Sequence, residues 1–271
     1  MANKRLLCFG LGYTARALVA RLGPEWSAVG TTRGEGGRLV ADAAFDGVTH
    51  ILVSIPPGEL GDPVLDIHGA DIAEMSGLEW LGYLSTTGVY GTRHGGWVDE
   101  SSELRPSSAR SQRRVDTEAR WLELCGSRGV PAHVFRLAGI YGPGRSVFDA
   151  LRAGTAKRID AGAQVFSRIH VDDIASVLLA SIANRRPGAI YNVCDDEPAA
   201  QEAVVAHAAR LLGVAPPPLV ALDKANLSPM AKSFYADDKR VSNALIKREL
   251  GLALAYPNYR AGLAAILAAG G

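Results

Sequence analysis

The run Leu6-Leu7-Cys8-Phe9-Gly10-Leu11-Gly12-Tyr13-Thr14-Ala15, continued by Arg16-Ala17-Leu18-Val19-Ala20-Arg21-Leu22, sets the architecture to expect from this chain. Leu6 to Phe9 is an apolar run of strand length, and Gly10 to Ala15 spells G-x-G-x-x-A. Ala15, Leu18, Val19 and Leu22 then recur at helical spacing, one apolar stripe facing a sheet. Strand, glycine loop and helix in this order match the dinucleotide-binding fingerprint. Gly10 permits a tight turn, Gly12 lets a pyrophosphate touch the backbone, and small Ala15 lets helix and strand pack closely. Tyr13 and Thr14 complete the loop, whose free amides at the helix start suit phosphate oxygens. An ordinary βα turn has a similar outline, but the full strand–loop–helix context favours a dinucleotide site.

Composition narrows the function classes. The chain has 271 residues, enough for a large core, and Lys+Arg 29 against Asp+Glu 28 leaves it near neutral. No basic tract with interleaved aromatics suggests nucleic acid. Cys8, Cys125 and Cys194 are far apart and lack C-x-x-C spacing, so they read as small core residues rather than a disulfide framework or metal site. No apolar stretch approaches bilayer length. After Lys4 and Arg5, glycines break the apolar run too early for a signal peptide. The expectation is a soluble, cytoplasmic protein acting on a small molecule.

Outward from the glycine loop, strand-like and helix-like segments alternate, as in a parallel sheet covered on both faces. Strands are expected at 27–32, 50–55, 80–85, 132–140 and 190–194, and helices at 65–75, 113–125 and 174–182, the last capped by Asp172 or Asp173. Beyond Asp196 the segments flanking Pro216-Pro217-Pro218 look like helices without strands between them. The reading is an α/β chain: a Rossmann-type doubly wound parallel sheet with a small, mainly helical C-terminal substrate domain. Residues 1–145 and 166–196 would form the dinucleotide-binding domain, and 146–165 with 197–271 the substrate side.

Several separated motifs now point one way. The glycine loop, STTGVYG at 85–91, RLAGIYGPGR at 136–145, HVDDIA at 170–175 and YNVCDDEP at 191–198 together resemble the extended short-chain dehydrogenase/reductase superfamily, which includes the NAD-dependent epimerases and dehydratases. The loop spacing and the ending RVSNALIKRELGLALAYPNYRAGLAAIL resemble an atypical branch of it. The resemblance implies that Thr86 is the hydroxyl residue that bonds a substrate oxygen; a strand-end threonine satisfying backbone groups is the competing reading. It places the turn from Tyr141 to Gly144 beside nicotinamide and substrate, with Arg145 and Arg168 adding charge to the cleft. His170 matches a structural position at the domain junction. Arg33, after Thr31 and Thr32, stands where an acidic residue usually meets the ribose of NAD, and a guanidinium there suits the 2′-phosphate of NADP. NADP(H) is therefore expected ahead of NAD. Relatives commonly pair through a two-helix face, which implies a homodimer to which helix 113–125 contributes.

The superfamily's Y-x-x-x-K pair is missing. Alignment on Pro106 and Glu118 puts Arg110 at the tyrosine and Arg114 at the lysine position, and no tyrosine or lysine occurs between Tyr90 and Tyr141. Arg114 can still bind ribose hydroxyls. Arg110 stays protonated and has no acceptor, so it suits an anion and not proton exchange. Surface exposure of both arginines is the plain alternative. Three readings follow. The protein is an oxidoreductase or epimerase whose proton donor is Tyr90 or Tyr141, with Thr86 polarising the substrate. Or Arg110 and Arg114 bind an anionic substrate while water or the substrate itself supplies the proton. Or the chain is a catalytically silent NADP(H)-binding sensor or regulatory module. The cleft expected over the cofactor favours an enzyme.

Overall fold

The computed structural model describes residues 4–32 and 39–270. In chain order the first half runs β1 (Lys4–Phe9), α1 (Tyr13–Val19), β2 (Trp26–Gly30), β3 (His50–Val53), α2 (Pro63–Glu74), β4 (Trp80–Thr86), β5 (Trp97–Val98) and α3 (Ala109–Arg128). Then follow β6 (Ala132–Leu137), β7 (Gly139–Tyr141), α4 (Val147–Arg152), β8 (Arg158–Asp160), β9 (Arg168–His170), α5 (Val171–Ala183) and β10 (Ile190–Val193). The C-terminal part holds α6 (Gln201–Leu211), β11 (Leu219–Ala221), α7 (Pro229–Tyr235), β12 (Arg240–Val241), α8 (Ala244–Leu250) and α9 (Tyr259–Ala268).

The six apolar runs pair in parallel in the order β2-β1-β3-β4-β6-β10. Strands buried on both faces need no polar alternation, and β3 and β6 are buried throughout. One face carries Leu6, Cys8, Leu18, Phe135, Ile174 and Leu178, where α1 packs on α5. The other carries Leu7, Phe9, Ile51, Val64, Tyr83 and Trp121, beneath α2 and α3. A third cluster joins Tyr141, Phe148, Val204, Tyr259 and Leu263 from β7, α4, α6 and α9. Cys8, Cys125 and Cys194 are free thiols, two of them buried.

The strand order reverses between β1 and β3, because the chain leaves β1 for one neighbour and returns to the other. In open α/β sheets the crevice beyond the strand ends at such a switch point is the binding site. The glycine loop lies there.

Three local expectations need correction. The run 132–140 is two strands: Ala138 N–H makes the last bond into the sheet, to Val193 O at 3.1 Å, and Gly139 N–H turns to Ser167 O at 3.2 Å. Thus β7 pairs with β9. The cap of α5 is His170, whose ring accepts from Asp172 N–H at 3.2 Å. Asp173 instead turns inward and accepts from Ala255 and Tyr256 N–H at 2.8 and 3.0 Å, because its own buried carboxylate needs donors. The C-terminal part also contains short strands, since β11 pairs with β8 and β12 with β5.

Candidate functional site

A cleft of about 580 Å³ opens at the switch point. Its floor is the glycine loop, the end of β4 and the end of β6; its walls are the start of α3, the β7–α4 turn and the segment from α7 to β12.

Backbone bonding shapes the loop. Gly10 N–H donates to Thr31 Oγ1 at 2.9 Å, Leu11 N–H to Thr31 O at 2.8 Å, and Ser54 Oγ to Gly10 O at 2.6 Å. Gly10 has φ +89°, and a Cβ there would lie 2.8 Å from Ile55 Cγ1. Glycine is required at this point. A Cβ on Gly12 would meet nothing within 4 Å, because that face is open to the cleft. This is the fit a dinucleotide asks for, with the loop braced behind Gly10 and bare at Gly12.

Of the residues singled out in the sequence, Gly12, Tyr13, Thr14, Thr86, Arg110, Arg114, Arg145 and Arg168 all line this cleft. Tyr13 spans it by donating to Pro143 O at 3.0 Å, and Arg145 lies over its ring. The Thr86 hydroxyl accepts from Gly88 N–H at 3.1 Å, the bond of a strand-end threonine, and Thr86 lines the cleft. Arg114 donates to Leu84 O at 2.5 Å and to the Tyr83 hydroxyl at 3.1 Å, which fixes its guanidinium beside the end of β4. Arg110, one helical turn earlier, is exposed and makes no hydrogen bond or ion pair among the described residues. Arg168 is bound by Phe166 O and Ala199 O at 2.7 and 2.8 Å.

Other candidates lie elsewhere. Gly10, Ala15 and Thr32 do not line the cleft; Gly10 and fully buried Ala15 support the loop from behind. Arg33, the residue expected to select NADP, lies outside the described residues.

Both tyrosines considered as proton donors are placed away from the cleft. Tyr90 is fully buried, and burial pushes its phenol up to about 12. Its hydroxyl donates to Asn192 Oδ1 and accepts from Arg136, both at 2.8 Å. Arg136 in turn pairs with Glu118 at 2.7 Å, and Glu118 accepts from Ser85. Tyr90 is therefore part of a buried polar network beneath the cleft floor. Tyr141 lies in the third apolar cluster against Gly262, and burial raises its phenol strongly.

Two cleft residues were missed by motif reading. Lys239 is 9% exposed and pairs with Asp237 at 3.1 Å, and Asp237 accepts from Ser107 at 2.6 Å. Burial holds the Lys239 ammonium below the usual lysine range, against the pull of Asp237. In sequence, Asp237-Asp238-Lys239 has only the look of a solvated charged loop.

A glycine loop at a switch point, a threonine closing β4 and a second body of chain over the crevice define an extended short-chain dehydrogenase/reductase fold. Residues 68–194 match the model of the NAD dependent epimerase/dehydratase family. A solved structure described as a functionally unknown conserved protein from Silicibacter pomeroyi DSS is 49% identical, with a TM-score of 0.92 over 98% of this chain and 99% of that one. Protein YeeZ of Escherichia coli (strain K12) is 28% identical over 176 residues, 65% of this chain and 58% of that protein. A 3-diazoavenalumate denitrifying reductase from Streptomyces sp is 30% identical over 153 residues, 52% of this chain and 48% of that protein. The chain thus spans less than two thirds of the length of the curated relatives it matches.

Proposed function

We propose that this protein binds a nicotinamide dinucleotide, NADP(H) ahead of NAD(H), and transfers hydride between it and a small anionic carbonyl or hydroxyl compound. The observation that carries the reading is the charge of the cleft: Arg110, Arg114, Arg145, Arg168 and Lys239 face it, with Asp237 as the carboxylate among its lining residues. A low-dielectric crevice lined by one sign of charge concentrates ligands of the other. A bound dinucleotide would supply the hydride donor or acceptor. Gly12 to Thr14 would hold its phosphates, Arg114 a ribose hydroxyl, and Thr86 the substrate oxygen. Arg110, exposed and unengaged, would grip the substrate's anionic group. The family and the reductase relative support nicotinamide redox chemistry, and Arg33 supports the preference for NADP.

Fluorescence titration with NADPH and NADH tests the cofactor, followed by a panel of keto acids and other anionic carbonyl compounds scored by NADPH oxidation. Tighter NADH binding, unchanged by Arg33→Ala, would defeat the NADP assignment. A second reading, a silent NADP(H)-dependent sensor, draws on the arginine at position 110 and on Tyr90 lying outside the cleft. NADPH-induced thermal stabilisation without oxidation of cofactor by any carbonyl compound would favour it.

A further inference from the structure

The cleft has many cations and few groups that can exchange a proton. Arginine stays protonated, which sets aside Arg110, Arg114, Arg145 and Arg168. The Tyr13 hydroxyl is taken by Pro143 O, and burial raises its phenol. Asp237 is taken by Ser107 and Lys239. No histidine, cysteine or glutamate lines the cleft among the described residues. Lys239 is what is left. Its segment is also firmly placed: Asp238 O accepts from Arg93 N–H at 2.7 Å and Gly95 N–H at 3.2 Å, and Asp237 O accepts from Gln164 Nε2 at 2.9 Å.

We propose that Lys239 is the proton donor of this cleft, with Asp237 as the residue that positions it. The assignment rests on the hydride-transfer reading above and fills the role left open at Arg110. The carbonyl carbon of the substrate accepts hydride from the reduced nicotinamide dinucleotide, and the C=O π pair moves to oxygen. That oxygen takes a proton from the Lys239 ammonium, leaving an alcohol, a neutral amine and the oxidised dinucleotide. Water then reprotonates the amine. In the reverse direction the amine accepts the hydroxyl proton. Burial and Arg93 favour the neutral amine and Asp237 and Asp238 the charged one, with the balance below the usual lysine range.

Trace labelling with acetic anhydride across a pH series, read by mass spectrometry, tests this without a known substrate. Lys239 should be labelled with a midpoint below that of exposed Lys224 and Lys232, the direction its burial gives. Asp237→Asn should move the midpoint further down, since the carboxylate that favours the ammonium is removed. A Lys239 that titrates with the exposed lysines, stays unlabelled, or ignores Asp237→Asn overturns the proposal. NADPH titration of the same samples separates the two levels: intact binding with an unshifted Lys239 removes the proton donor alone, whereas no NADPH binding removes the underlying reading. For any carbonyl compound turned over, Lys239→Arg should lower kcat by about a hundredfold or more with KM retained, because the charge stays but guanidinium does not give up its proton.

Discussion

The Tyr90 hydroxyl donates to Asn192 Oδ1 at 2.8 Å, deep beneath the cleft and out of reach of any ligand in it. The VYG motif that makes Tyr90 look like a proton donor in the sequence thus anchors the turn after β4 to β10 through side chains. Tyr90→Phe should leave NADPH affinity unchanged and cost about 1–3 kcal/mol of stability, because Asn192 and Arg136 each lose a buried partner. Urea denaturation beside a fluorescence titration separates these outcomes; weakened NADPH binding at full stability would contradict the placement.

Glu118 and Arg136 form an ion pair with both side chains 3% exposed. Removing one partner strands a buried charge, so Glu118→Leu or Arg136→Met alone should each cost about 3–5 kcal/mol. The double variant should be markedly less destabilised than the sum of the two. Additive losses in a double-mutant cycle would show that the pair is not coupled.

Gly10 and Gly12 should respond differently to substitution. Gly10→Ala forces a side chain into positive φ and against Ile55, and should lower stability by about 1–3 kcal/mol. Gly12→Val should change stability by no more than about 0.5 kcal/mol. It should nevertheless weaken NADPH binding by about tenfold or more, or 1.4 kcal/mol, because its branched side chain would occupy the open face of the loop. Equal losses of melting temperature in the two variants would refute the distinction.

His133 makes acid stability measurable. Its ring sits between Leu81 O at 3.3 Å and Arg186 N–H at 2.9 Å, and burial pulls its pKa from 6.5 to about 4. The folded state therefore binds the proton less readily than the unfolded state does. Stability from this group is intact above pH 6.5 and is lost as pH falls towards 4, at up to about 1.4 kcal/mol per pH unit. His50, also pulled to about 4, adds a second contribution of the same sign. His133→Asn should make the urea midpoint less dependent on pH over that interval; an unchanged slope would exclude the contribution.

The fold was legible where the signal is local. The Leu6–Ala15 run and the apolar strands require only chain periodicity and glycine chemistry, and every strand of the main sheet falls on a run visible in the sequence. The break at Ala138 was not visible, because Leu137 and Ile140 are equally apolar and only their partners, β10 and β9, tell them apart. Asp172 and Asp173 look like caps by position, yet His170 does the capping and Asp173 serves the distant amides of 255 and 256. Long-range demands of this kind leave no spacing to read.

The same division runs through the cleft. Residue identities and spacing were enough to specify the glycine loop, whereas Thr86 at the end of β4 and the placing of Arg110 and Arg114 at the tyrosine and lysine positions came through the family resemblance. Which hydroxyls and cations share one cavity depended on how distant segments pack. Packing buried Tyr90 in a polar network and Tyr141 in an apolar cluster, and it brought Asp237, the partner of Lys239, against Ser107, about 130 residues away in the chain. A side chain's chemistry is written in its identity, but its burial, its partners and its access to a ligand are set by neighbours that the chain supplies only when folded.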